Sequence, residues 1–195
     1  MLELGGGSGW ASSLIKSGWP KCILYATDIA SAAMEKAMAL SEICGKTDYF
    51  ASCDAEKLPF ANELFERVFS VAFLHHFHSP VSVLKQIHRV LKPGGTYVAF
   101  GEIMTSNIAR PIYRRFSDQS SRSHEIGVLE EAFTFDEWRN FFRAAGFHDP
   151  HLKLYKGPNF RRNVKGSFYY AIANKMPDSI VKRLMFSTLM ISTAK

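Results

Sequence analysis

Short runs of β-forming residues alternate with helix-like stretches along the first hundred residues, and this alternation limits the fold more than any other feature. Strands are predicted over residues 1–4, 22–27, 47–53, 68–74 and 96–102. Apolar residues at helical spacing predict helices over residues 10–17, 32–44 and 81–91. Strands that alternate with helices are typical of an α/β fold with a largely parallel sheet.

The rest of the chain carries a weaker pattern. Residues 105–131 are irregular, polar and partly basic, and a capping box at Thr134 and Glu137 then predicts a helix through Ala145. Two final strands are predicted over residues 148–155 and 167–173. An amphipathic helix is predicted over residues 178–190, and its apolar stripe comprises Ile180, Val181, Leu184, Met185 and Met190.

The composition is that of one ordinary globular domain. The chain has 195 residues, of which 47% are hydrophobic and 22% are charged, a mixture that excludes a disordered protein. No apolar run approaches the roughly 20 residues that span a bilayer, and the start of the chain lacks a signal-peptide pattern. Three cysteines without C-x-x-C spacing favour a reducing compartment. We therefore expect a single-domain cytoplasmic protein.

Charge is distributed unevenly along the chain. Residues 1–104 carry a net charge of −1 and residues 105–195 a net charge of +7. A basic region permits an acidic partner such as a nucleic acid, but a solvated basic face is the more common explanation.

A glycine-rich loop follows the first predicted strand. Glu3 is followed by Gly5, Gly7 and Gly9, and a predicted helix begins at Trp10. Glycines allow a tight turn with close backbone approach, and free N–H groups at a helix start favour a carboxylate or phosphate. A dinucleotide signature would require glycine where Trp10 stands. The loop therefore predicts a nucleotide-type cradle, with a simple flexible turn as the alternative.

Two aspartates stand where the next two predicted strands end. Asp28 follows the second strand and can accept the hydroxyls of a ribose, while Asp54 follows the third and can accept from an adenine amino group. Either residue alone is equally well explained as a helix cap. Together with the glycine loop they predict a ligand site, because ligands of open α/β sheets bind at the carboxyl ends of the strands.

These motifs resemble those of class I S-adenosylmethionine-dependent methyltransferases, and the resemblance is closest to the type 11 subgroup. It is carried by residues 3–9, 26–29, 54–60, 73–76 and 89–95. The resemblance implies a Rossmann-like, mostly parallel seven-stranded sheet with an antiparallel last strand. It divides one domain into a cofactor-binding half (1–104), an acceptor-side insertion (105–133) and a C-terminal part (134–195). Only four residues precede Gly5, so we expect the first strand and the helix before it to be shortened or missing.

The resemblance also implies how S-adenosylmethionine is held. Gly5 and Gly7 would lie against the methionine moiety, together with Gly9 in the same loop, and Glu3 would support them by hydrogen bonds. The remaining contacts are implied for Asp28 with the ribose, Ile29 and Ala55 with the adenine faces, Asp54 with the adenine amino group, and the Phe73 backbone with the methionine amino group. No metal is expected.

The histidines after the fourth predicted strand are candidate general bases. A sulfonium is already an activated methyl donor, so the protein mainly aligns the acceptor and a base is optional. We favour His76 first and His75 second, because the pKa of histidine suits proton transfer near neutral pH. His124 and Glu125, in the insertion, are weaker candidates.

We expect the acceptor to be a small molecule. The chain lacks the Asn-Pro-Pro-Tyr motif of base-methylating enzymes and the Pro-Cys pair of cytosine C5 enzymes, which argues against a nucleic acid as the acceptor. An RNA or protein methyltransferase that uses the basic C-terminal third is one alternative, and a non-catalytic cofactor-binding module is another. The amphipathic segment suggests contact with an anionic membrane or a homodimer as further expectations.

Overall fold

The computed structural model describes residues 1–44, 47–113, 115, 130–155, 175–184 and 186–195. The strands are β1 (Leu2–Leu4), β2 (Tyr25–Asp28), β3 (Tyr49–Ser52), β4 (Phe65–Val71), β5 (Leu91–Thr105), β6 (His151–Tyr155) and β7 (Phe186–Ala194). The helices are α1 (Trp10–Gly18), α2 (Ser31–Cys44), α3 (Val81–Val90), α4 (Phe135–Ala144) and α5 (Asp178–Leu184). Within these ranges, no helix is both long and apolar enough to cross a membrane.

All seven strands form one sheet in the order β3-β2-β1-β4-β5-β7-β6. The strands from β3 to β5 pair in parallel, and β7 runs antiparallel to both β5 and β6. The predicted mostly parallel sheet with an antiparallel last strand is therefore confirmed. Strand order reverses where β1 and β4 meet, and this is the place where open α/β sheets form a ligand crevice.

The apolar core is dense around β5 and the helix that follows it. Trp138 and Phe142 of α4 are fully buried, and Trp138 donates its indole N–H to the carbonyl of Ile103 at 3.0 Å. Tyr97 stacks on Phe142 with 6.0 Å between ring centroids. The predicted capping box is present, with Thr134 and Glu137 each bonded to the other's backbone N–H. This packing gives the carboxyl-terminal half of β5 a rigid support.

The predicted amphipathic helix over residues 178–190 is wrong beyond Leu184. The helix α5 ends there, and the residues from Phe186 onward form β7, in which Met190 pairs with Phe100. Side chains of β7 alternate with a period of two, since Ser187, Leu189, Ile191 and Thr193 are buried, and that is strand periodicity. The apolar stripe that included Met190 therefore does not exist as one helical face.

Other boundaries shift by a few residues. The strand β4 begins at Phe65 and ends at Val71, so that Leu74 lies in a short 3₁₀ turn (Leu74–His76) rather than in the strand. The strand β5 begins directly after α3, at Leu91, which was predicted as the last residue of the helix; the strand was predicted only from residue 96. The strand predicted over residues 167–173 lies outside the described residues.

A pair of isoleucines tests the assignment of β7. Ile191 is fully buried in the sheet, whereas Ile180 on α5 is 40% exposed. We expect Ile191→Ala to lower the free energy of unfolding by about 2–5 kcal/mol, the usual cost of a large cavity. Ile180→Ala, the matched control, should cost less than about 1 kcal/mol. Urea unfolding measures both, and equal small losses would contradict the strand.

Candidate cofactor and active site

The glycine loop and the turn after β4 meet at the crevice between β1 and β4. Gly5 has a φ of +64°, and a Cβ on it would lie 2.2 Å from a ring carbon of Phe73. Only glycine allows both this backbone conformation and this approach. Gly9 closes the loop against α2, where its Cβ would lie 2.8 Å from that of Ala37. The sequence-predicted residues Gly5 and Phe73 are thus in direct contact.

Asp28 holds the glycine loop in place from the end of β2. Its Oδ2 accepts the Gly7 N–H at 2.9 Å, and its Oδ1 accepts the Ala30 N–H at 3.0 Å. These two bonds use two of the roughly four acceptor positions of a carboxylate. The carboxylate is only partly buried, and its other acceptor positions remain for further donors.

Glu3 lies beneath the loop, inside the protein. It is 2% exposed, it accepts a hydrogen bond from the Ser12 hydroxyl, and its Oε2 would lie 3.4 Å from a Cβ placed on Gly6. Burial raises the pKa of Glu3 to about 7; the Ser12 bond opposes this shift, and the charge of Asp28 adds to it. The support of the loop is therefore a carboxyl group that titrates near neutral pH.

The predicted adenine-side residues lie at the neighbouring strand ends. Asp54 caps a short 3₁₀ turn (Ala55–Lys57) by accepting the Glu56 N–H at 2.8 Å. Ile29 is 74% exposed, and Ala55 is half-buried. The Cys53 N–H donates to the Asp28 carbonyl at 3.0 Å, which brings the ends of β2 and β3 side by side. Both the cap role and a ligand role remain compatible with this position of Asp54.

His75 is buried, and its ring is held by a carboxylate of β5. His75 is 4% exposed, and its Nδ1 lies 2.9 Å from Oε2 of Glu102, which is fully buried. The same carboxylate accepts the backbone N–H groups of Phe73, Leu74 and His75 at 3.0–3.1 Å. One side chain therefore organises the whole turn after β4.

His76 differs from His75 in exposure. Its ring is half-buried and lies 4.4 Å from that of His75, measured between centroids. Two residues further, His78 is mostly exposed and bonds Glu131 at 3.0 Å through Nδ1. The weaker candidates His124 and Glu125 lie outside the described residues. Within the described ranges, no cluster of acidic, histidine or cysteine side chains is close enough to hold a metal ion.

Two site residues were missed by the sequence analysis. Ser12 is the hydroxyl donor to Glu3, and Glu102 is the acceptor beneath the turn after β4. Glu102 could have been noticed as a charged residue at the end of an apolar strand, because glutamate is rarely buried unless it is paired. Ser12 gave no such signal, because serine is common in the first turns of helices.

The geometry fits an adenosyl ligand with a methionine tail. Gly7 faces open space, because a Cβ placed on it would have no described atom within 4 Å. A ligand can therefore approach the backbone of the loop at this residue. One carboxylate stands at the end of β2 and another just after β3, where hydroxyl and amino donors of a nucleoside would be recognised. Gly5, Gly7, Asp28 and Asp54 are the residues able to hold such a group.

Known proteins support the same assignment. The methyltransferase domain family, type 11, matches residues 2–99. The ubiquinone/menaquinone biosynthesis C-methyltransferase UbiE of Desulfotalea psychrophila is 29% identical over 80% of this chain and 68% of its own length. The 2-methyl-6-phytyl-1,4-hydroquinone methyltransferase 2 of Oryza sativa is 27% identical over 85% of this chain and 43% of its own.

A solved structure shows the same fold at low identity. Phosphoethanolamine N-methyltransferase 2 of Haemonchus contortus, in complex with S-adenosyl-L-methionine, aligns with a TM-score of 0.71 and 16% identity. The alignment covers all of this chain and 48% of that one. The predicted Rossmann-like fold is thereby confirmed.

A parallel sheet with a glycine loop after β1 and an acidic residue at the end of β2 is typical of Rossmann-like nucleotide-binding proteins. The family match narrows this class to the S-adenosylmethionine-dependent methyltransferases. The chain belongs to the methyltransferase domain family of type 11, and its cofactor is S-adenosylmethionine. The predicted enzyme class is thus confirmed. The roles of individual site residues stay predictions.

Glu3 makes stability depend on pH. Because its pKa is about 7 when folded and 4.5 when unfolded, the folded protein keeps a proton that the unfolded chain loses between these values. The free energy of unfolding should therefore fall by about 3 kcal/mol as pH rises from about 4.5 to 7, and then level off. Glu3→Gln should remove most of this fall in urea titrations, and the exposed control Glu35→Gln should retain it. An unchanged pH dependence in Glu3→Gln would contradict the assignment.

Proposed function

We propose that this protein transfers a methyl group from S-adenosylmethionine to a small hydroxylated ring of the hydroquinone type. The observation that carries the proposal is the hydrogen bond from the Gly7 N–H to Asp28. It joins the glycine loop to the acidic residue at the end of β2, so that both can contact one cofactor molecule. The acceptor class is supported by two relatives whose names state quinone or hydroquinone chemistry and whose alignments cover at least 80% of this chain.

The chain would hold the cofactor along the carboxyl ends of β1, β2 and β3. When bound, S-adenosylmethionine supplies a methyl group activated by a positively charged sulfur. Asp28 accepts the ribose hydroxyls with its remaining acceptor positions, and the glycine loop receives the methionine end above buried Glu3. Ile29 and Ala55 cover the adenine, Asp54 accepts from its amino group, and the Phe73 backbone faces the methionine amino group.

His76 would act on the acceptor rather than on the cofactor. It follows β4 at the crevice and is half-buried, so that its ring can meet both the protein and an entering ligand. Its task is to take the proton of a ring hydroxyl, which makes the ring more nucleophilic toward the methyl carbon. His75 packs against it as the second candidate.

Asp28→Ala tests the cofactor cradle. Loss of a carboxylate that accepts hydroxyl hydrogen bonds should cost about 1.5–3 kcal/mol, or roughly ten- to hundredfold in affinity for S-adenosylhomocysteine. Isothermal titration measures the affinity, and circular dichroism checks that the variant is folded. Asp136→Ala, an exposed aspartate on α4, is the control and should bind like the parent. Parent-like binding by folded Asp28→Ala would refute the ribose contact.

His76→Ala tests the general base. With a prenylated 1,4-hydroquinone in micelles as acceptor and a radiolabelled methyl donor, we expect turnover to fall about a hundredfold. Affinity for S-adenosylhomocysteine should not change. His78→Ala is the matched control, because His78 lies on the same segment but is mostly exposed. A wild-type enzyme that binds the cofactor but never labels the hydroquinone would exclude this acceptor class. Equal turnover in wild type and His76→Ala would show that His76 is not the general base.

A further inference from the structure

The side chain of Glu102 is surrounded by hydrogen-bond donors of one turn. Its Oε1 accepts the N–H groups of Phe73 and Leu74, each at 3.1 Å. Its Oε2 accepts the His75 N–H at 3.0 Å and faces Nδ1 of the same residue at 2.9 Å. Both oxygens are therefore used, and the residue is fully buried. One carboxylate thus makes four hydrogen-bond contacts with three consecutive residues, and these contacts tie the turn to β5.

We propose that Glu102 is a positioning residue, which fixes the turn after β4 and the tautomer of His75, and through His75 the ring of His76. The consequence for catalysis rests on the proposed function, whereas the tautomer is a property of the protein alone. Glu102 touches neither cofactor nor acceptor in this account. It acts through the residues that do.

The tautomer follows from the chemistry of the pair. Three backbone N–H groups point at this carboxylate, so its oxygens act as acceptors and the imidazole atom that faces Oε2 must donate. When the His75 ring carries one proton, that proton therefore lies on Nδ1, and Nε2 carries the electron pair. The two oxygens are each shared between two donors, which leaves the ring little freedom to flip.

A local irregularity of β5 aims Glu102 at this turn. In the pairing with β7, Phe100 faces Met190 and Glu102 faces Leu189, so Gly101 is an extra residue. Its φ of +83° is the conformation in which glycine forms such a bulge. The extra residue shifts the alternation of side chains by one position, and a carboxylate thereby enters the interior beneath the turn.

A strained residue lies directly before this turn. Ala72, a residue with a Cβ, has a φ of +50°, and its N–H donates to the Phe100 carbonyl at 2.7 Å. Such a conformation persists only where surrounding bonds hold it. The next bond, from the His76 N–H to the Phe73 carbonyl at 3.1 Å, places His76 within the same held segment. Its ring then packs on that of His75.

Nuclear magnetic resonance of the wild-type protein gives the primary test. With ¹⁵N-labelled histidine, long-range proton–nitrogen correlations at pH 8 report which ring nitrogen of His75 carries the proton, and His75→Gln assigns the signals. We expect the Nδ1–H tautomer of His75. A dominant Nε2–H tautomer would overturn the proposal. This result needs no cofactor, so it stands even if the protein binds none.

Substitution of the carboxylate gives the second test. In Glu102→Gln an amide N–H₂ must face donors, so we expect loss of the single His75 tautomer and about tenfold weaker binding of S-adenosylhomocysteine. The matched control is Glu131→Gln, which changes the carboxylate beside exposed His78 and should leave both readouts unchanged. Wild-type behaviour of folded Glu102→Gln in both readouts would overturn the proposal. If Glu102→Gln does not fold, the wild-type spectrum decides. Failure of the wild-type protein to bind S-adenosylhomocysteine would instead contradict the proposed function.

Discussion

The approach of Gly5 to the ring of Phe73 is the contact on which the site depends. Strand order reverses between β1 and β4, so the loops that follow these strands leave the sheet beside each other. A side chain at position 5 would overlap the aromatic ring, and its positive φ would be strained as well. Glycine at this position therefore allows the glycine loop and the turn after β4 to share one crevice.

Two buried carboxylates support the two sides of that crevice in different ways. Glu102 accepts three backbone N–H groups and faces a ring nitrogen, so each of its oxygens is satisfied. Glu3 has the Ser12 hydroxyl as a donor, and burial raises its pKa to about 7. The turn after β4 is thus held by a saturated set of bonds, while the glycine loop rests on a group whose charge changes near neutral pH.

The sequence predicted those features that are encoded locally. The glycine loop and Asp28 stand at strand ends, where residue type and position are read directly, and the structure brings them together. The sequence shows Glu102 as a charged residue at the end of an apolar strand, but its contacts depend on a bulge at Gly101 and on a turn nearly thirty residues earlier, which no local pattern predicts. The segment after Leu184 was predicted as helix because Met190 fits helical spacing. Pairing with β5 instead imposes strand geometry on it.

A crystal structure with S-adenosylhomocysteine tests the central claim most directly. We predict that the ligand lies at the carboxyl ends of β1, β2 and β3, with its ribose hydroxyls on Asp28 and its methionine end at the glycine loop. The turn held by Glu102 should keep its hydrogen bonds in the complex. Binding of the ligand elsewhere, or density in the crevice without contact to Asp28, would contradict the account.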